Sequence, residues 1–230
     1  IAQAPDFARA HQRLGLIYLQ EKNYGKAREH LARTVSLGIA DAQTFGQLAY
    51  VNLQDYSPFS AIQGYQEALL LEPGNPQWQQ GLLFALVNAR HFPAAQALVD
   101  EMLARDNNNR SLWLQSANIA LNNNDAKSAL TRMEIALKLG ESDSANQIVA
   151  AQLHLQHGSI PRAVELMQAS MPDGIEHYDQ IMEAISWLRF KEEWQEAEKL
   201  VTAGLEHWDK LSGPHESRSL GHRGEWQRVL

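Results

Sequence analysis

The side chains best spaced for chemistry are His154 and His157, three residues apart near the end of a helical pattern. That spacing could bring two imidazoles onto one zinc ion. No third ligand accompanies them, and the pattern reads better as a core-facing His154 beside a turn residue, His157. No H-E-x-x-H, phosphate-binding glycine loop or nucleophile elbow occurs along the chain. The absence of cysteine removes disulfides, thiol catalysis and Cys-ligated zinc together. No catalytic residue, metal or cofactor is therefore expected, and the chain reads as a non-enzyme. The run Glu192, Glu193, Glu196 and Glu198 reads as a solvated helix face, with Lys199 in i, i+3 reach of Glu196, or as a docking patch for a basic partner. Trp78, Trp113, Trp187, Trp194, Trp208 and Trp226 are not spaced as a stacking platform, and most read as core or inter-repeat residues.

With 44% hydrophobic and 20% charged residues, the 230-residue chain has a globular composition. No apolar run approaches the ~18 residues needed to span a bilayer, so no membrane insertion is expected. A net charge of −7 argues against a nucleic-acid ligand, whose phosphates demand clustered Lys and Arg. The charge is uneven: residues 1–41 carry +2, whereas residues 178–211 carry −4. Zero cysteines fit an exported bacterial protein, in the periplasm, slightly better than a cytoplasmic one, with chance absence as the alternative.

The elements that position these residues recur. Ala27, Ala61, Ala95, Ala129, Ala163 and Ala197 are each 34 residues apart, with no insertion between them. A small side chain at this position lets two helices approach closely, while flanking apolar residues recur at helical spacing. Counting from Ala8 predicts six helix–turn–helix units: 8–41, 42–75, 76–109, 110–143, 144–177 and 178–211. Pro58, Pro93 and Pro161 fall where a second helix would begin. Asn122-Asn123-Asn124-Asp125 forms a turn rich in capping residues. Pro5 sits where an earlier unit would close, so residues 1–7 read as the end of a truncated repeat. Residues 212–230, with the break at Gly213-Pro214, read either as a capping tail or as a partial seventh unit.

His11, Leu14, Gly15 and Tyr18, followed by Ala27 and Leu31, fall on the spacing W-x2-L-G-x2-Y…A-x3-F. The chain thereby resembles the tetratricopeptide-repeat family, whose unit is about 34 residues long. The resemblance covers residues 8–211; the family's tryptophan position is filled as such only by Trp113, and its closing proline within the full units only by Pro73. It implies an all-α fold, an α-solenoid forming a right-handed superhelix, whose first helices line a concave groove for peptides or partner helices.

In the family, positions 2, 5, 6 and 9 of the first helix, and sometimes 12 and 13, face that groove. Carried over, they nominate Arg9, Gln12 and Arg13, then Gln43, Gln47 and Tyr50, then Gln80 and Phe84. Gly46, Gly81, Ile148, Val149 and Met182 fall in the same columns. Later units contribute Gln115, Asn118, Asn122, Gln152, Asp179 and Glu183. Amides offer donors and acceptors to an extended backbone, and Tyr50 and Phe84 either anchor a ligand or fill gaps between helices. Arg9 and Arg13 against Asp179 and Glu183 suggest a basic entrance and an acidic exit, or simply solvated ends. The arginine pair also resembles the family's carboxylate clamps, but the neighbouring clamp positions hold glutamine, glycine or tyrosine, which disfavours a chaperone-tail receptor.

The reading is a scaffold that binds a protein or peptide partner, expected to be part of a larger bacterial envelope or secretion-assembly protein. The alternatives are a substrate-presenting repeat region of an enzyme whose catalytic domain lies elsewhere, or a self-association module forming a homo-oligomer.

Overall fold

The computed structural model describes residues 7–171 and 177–211, with the side chains of residues 208–211 left aside. Pro5, the Gly213-Pro214 break, Trp226 and the tail 212–230 lie outside the described residues, as does the side chain of Trp208. Twelve helices and no strand occur among the described residues, and the fold is all-α, of the α-solenoid class. The chain forms two compact bodies, Ile1–Asn107 and Asn108–Leu230. The N-terminal body holds α1 (Ala8–Gln20), α2 (Tyr24–Ser36), α3 (Ala42–Gln54), α4 (Pro58–Leu71), α5 (Pro76–Asn88) and α6 (Phe92–Arg105). The C-terminal body holds α7 (Arg110–Asn122), α8 (Ala126–Lys138), α9 (Ser144–Gln156), α10 (Ile160–Ser170), α11 (Tyr178–Phe190) and α12 (Trp194–Leu211). None of the helices among the described residues is long and apolar enough to cross a membrane.

Local chemistry explains the helix starts. Before α3, α5, α7 and α9 stand Asp41, Asn75, Asn109 and Asp143, and each side chain accepts a hydrogen bond from a backbone N–H of the first turn. These satisfy donors that a helix leaves unpaired. Asn23 and Asp125 do the same for α2 and α8, while Pro58, Pro93 and Pro161 occupy the first or second position of α4, α6 and α10.

The turns inside the helix pairs share one geometry. Lys22, Tyr56, Arg90, Asn124, Gly158 and Glu192, spaced by 34 residues, all have positive φ, between 53° and 76°. The next residue's N–H returns to a carbonyl five residues back, as in Asn23 to Tyr18 (2.8 Å) and His91 to Leu86 (2.9 Å). This is the Schellman closure, which reverses the chain within three residues. Five of the six positions accept the left-handed backbone without glycine.

Packing then follows from side-chain volume. Ala27, Ala61, Ala95, Ala129 and Ala163 are 0% exposed and Ala197 is 3% exposed. One turn further along the same helices, Leu31, Tyr65, Val99, Met133, Met167 and Val201 are all buried. In the C-terminal body the core runs through Ala117, Met133, Ala151, Met167, Ile185 and Leu200. Trp194 departs from the apolar face read from the sequence: it is 57% exposed. As the first residue of α12 it precedes the buried turn, and the Arg189 guanidinium lies 5.8 Å from its ring centroid.

Ala95→Leu forces a branched side chain into a fully closed seam and is expected to lower unfolding stability by about 1–3 kcal/mol. Urea denaturation followed by circular dichroism measures it; a change within error would show that the seam has room.

Candidate peptide-binding site

In the N-terminal body, α3 and α5 border a cleft of about 470 Å³, with contributions from α1 and α4. Four of the nominated residues meet there: Gln47, Tyr50, Gln80 and Phe84. Its floor is Tyr65 and Trp78, both buried; the tryptophan was expected as a core or inter-repeat residue. No charged residue lines it.

Two missing side chains make the floor possible. A Cβ on Gly46 would stand 2.2 Å from the Trp78 ring, and one on Gly81 would stand 2.4 Å from the Tyr65 ring. Both lie well inside van der Waals contact, so only glycine lets these rings lie against the helix backbones. Gly46 is thus covered by an indole, whereas its column nominated it as groove surface. The signal that could have revealed Trp78 and Tyr65 was glycine inside an amphipathic helix, a residue that usually marks close approach.

The rings are also held by polar groups. Trp78 Nε1 donates to Glu72 Oε2 at 2.9 Å, satisfying the N–H that burial would otherwise strand. Burial pushes the Tyr65 hydroxyl up to about 12, with Tyr50 adding to the shift. Tyr50 meets Tyr24 edge-on, ring centroids 6.4 Å apart, and desolvation followed by this neighbour raises its pKa. Tyr50 therefore packs between helices and still presents 43% of its surface, while Phe84 presents 57%.

Other nominated residues are placed differently. Gln12 Nε2 donates to Thr44 Oγ1 (2.8 Å) and Asp41 Oδ2 (3.2 Å), tying α1 to the start of α3, so its amide is committed to the fold. Arg9, Arg13 and Gln43 are exposed on α1 and α3. In the C-terminal body, Asn122 Nδ2 donates to the Asn118 carbonyl (2.8 Å), and Gln115 Nε2 lies 3.4 Å from Ser111 Oγ. Gln152 and Glu183 line a separate cleft, and Asp179 is exposed in the first turn of α11. Ile148 is buried, so its column points into the core of this body.

The histidine pair is divided between core and turn, with His157 exposed after the end of α9. His154 is buried with Nε2 2.7 Å from Glu134 Oε1, and His157 Nδ1 lies 2.8 Å from the Leu153 carbonyl. Glu134 also receives Arg162 Nε at 3.0 Å. Burial raises the Glu134 carboxyl, but its Arg162 and His154 hydrogen bonds outweigh that and hold it below the usual range. Lys199 Nζ sits 2.6 Å from Glu196 Oε1, the pairing that their spacing allows.

The sequence matches the tetratricopeptide repeat family model over residues 1–42 and 114–173. Over these two stretches the chain carries tetratricopeptide repeats. Solved structures share its fold: PilF of Pseudomonas aeruginosa superposes with a TM-score of 0.60 at 18% identity, over 96% of this chain and 99% of that one. The C-terminal part of a TPR repeat-containing protein from Cytophaga hutchinsonii gives 0.68 at 14%, over 96% and 90%. MamA from Desulfovibrio magneticus RS-1 gives 0.62 at 12%, over 71% and 93%. Identities this low establish fold and nothing finer. No curated protein matches the sequence. Tetratricopeptide-repeat folds generally mediate protein–protein interaction.

Gly46→Ala is expected to destabilise the protein by about 1–3 kcal/mol, although alanine is the better helix former by about 1 kcal/mol. Chemical denaturation with tryptophan fluorescence reads both the loss and the displaced Trp78; a stabilised variant would show that the ring is not pressed on the helix.

Asp41 supplies a pH test. Burial raises its pKa, but hydrogen bonds from Thr44 and Gln12 prevail and leave it below 3.8. Its contribution is complete above the unfolded value near 3.8 and disappears as pH falls through the lower folded value. Asp41→Asn should therefore flatten the acid limb of stability below about pH 5. Thermal melts of both proteins between about pH 2 and pH 6 check this, and parallel acid limbs would refute it.

Proposed function

We propose that this chain is a non-catalytic binding module, built from the six units spanning residues 8–211, that holds an extended peptide segment of a protein partner. The observation that carries the reading is the N-terminal cleft. Tyr50 and Phe84 stand half-exposed above the buried rings of Tyr65 and Trp78, with amide side chains and no charge along the walls. Exposed aromatics over a rigid apolar floor are where binding energy concentrates at protein interfaces, because two-torsion side chains lose little entropy when covered. Gln47 and Gln80 offer donors and acceptors to a peptide backbone regardless of its sequence. A neutral wall favours uncharged ligand side chains, since a charge brought here would be desolvated without a partner.

The proposed setting is the bacterial envelope, in assembly or secretion, supported by the absence of cysteine and the amide-rich first helices. Fractionation of the source cells tests that placement independently of the cleft.

Peptides selected from a random display library on the intact protein provide the ligand for the binding test. Tyr50→Ala and Phe84→Ala are each expected to weaken the selected peptides about tenfold or more, the effect of losing one aromatic anchor. Peptides bound with undiminished affinity by both variants would remove this cleft as the site.

A further inference from the structure

A second cleft, of about 430 Å³, lies wholly within the C-terminal body and is lined from α9, α10 and α11. Its chemistry differs from that of the first. Gln180 Oε1 is buried without a hydrogen-bond partner among the described residues. Glu183 is exposed and engages no ion pair or hydrogen bond among them. Gln152 and Gln156 add further amide oxygens, and no Lys, Arg or His lines the cleft. Trp187 forms one wall, and the Lys191 ammonium lies 5.7 Å from its ring centroid, a contact that an entering cation would share or displace. Met167, fully buried, closes the bottom.

Each feature asks for the same kind of group. A buried carbonyl oxygen without a partner is costly and is relieved by any donor that enters. An unpaired carboxylate above an apolar floor attracts a cation, and an indole face stabilises one that is stacked on it. A guanidinium answers all three at once, because it is planar, permanently charged and carries five N–H donors on an apolar stem. The surrounding charge agrees: residues 178–211 carry −4, so a basic segment is drawn towards this end of the chain.

We infer that this cleft receives an arginine side chain from a basic peptide segment of a partner protein. The guanidinium pairs with the Glu183 carboxylate and donates to Gln180 Oε1, while its plane stacks on Trp187 and its methylenes cover Met167. This site shares no residue with the cleft of Tyr50 and Phe84, so either can fail without the other.

The test is a fluorescence-anisotropy titration of the whole protein with a labelled, amidated Gly-Ser-Arg-Ser-Gly peptide. Its analogues carry citrulline, an uncharged isostere, or lysine at the centre. Arginine is expected to bind at least about tenfold tighter than citrulline, with lysine between them, as befits a charge-assisted bidentate contact. Glu183→Gln, at an exposed position, should leave the melting temperature unchanged and remove most of the preference for arginine over citrulline. Glu198→Gln, on the exposed face of α12, should leave the preference intact. Equal binding of arginine and citrulline overturns the inference, as does full binding by Glu183→Gln, an equal loss in Glu198→Gln, or no arginine binding up to millimolar peptide.

Discussion

Close approach between paired helices is the constraint on which the rest of this structure depends. At the seam only a methyl group fits: six alanines at one position of the repeat are closed off from solvent, with a large apolar side chain one turn further along each helix. Small residues let helix axes come together, and the neighbouring large ones fill the grooves that open on either side. Turns and caps serve the same end. The left-handed residue after each first helix reverses the chain in the fewest possible steps, so the second helix starts already beside the first. A longer or looser turn would leave the seam register to be set by packing alone.

The cleft of the N-terminal body uses the same device in a different place. Gly46 and Gly81 remove side-chain atoms where α3 and α5 meet neighbouring helices, and the space is taken by Trp78 and Tyr65. Two large rings thus become a firm floor without being lost from the core, and Tyr50 and Phe84 are left standing over it. The glycines carry a cost in helix propensity of roughly 1 kcal/mol each. Burying aromatic surface against backbone offsets it, because each ring covers far more apolar area than the absent methyl would have.

Within each body, some polar side chains tie helices together and others line a cleft. In the C-terminal body, Glu134 draws His154 Nε2 and Arg162 Nε together across three helices, a structural network built on one carboxylate. Gln180 and Glu183 nearby have no such engagement among the described residues. A buried polar atom without a partner is costly, so the cleft carries a local penalty that an entering donor would relieve. In the N-terminal body Gln12 bridges α1 and α3, whereas Gln47 and Gln80 line the cleft.

The repeat, its helix pairs and the buried alanine column were legible in the sequence, because a fixed spacing and a small side chain at one position follow from local geometry that every unit repeats. His154 as a packed residue and the Glu196–Lys199 pair were legible for the same reason, being set by helical spacing within one or two elements. The cap column of Asp41, Asn75, Asn109 and Asp143 was present as well, at the same period, as residues whose preference for helix starts is local. Only the tertiary structure decided that Trp78 and Tyr65 form the floor of a cleft, that Gln12 is bound to Thr44, and that Ile148 faces the core. Those outcomes depend on which side chain from one helix fills a vacancy on another, and no spacing along a single helix records the volume across the interface.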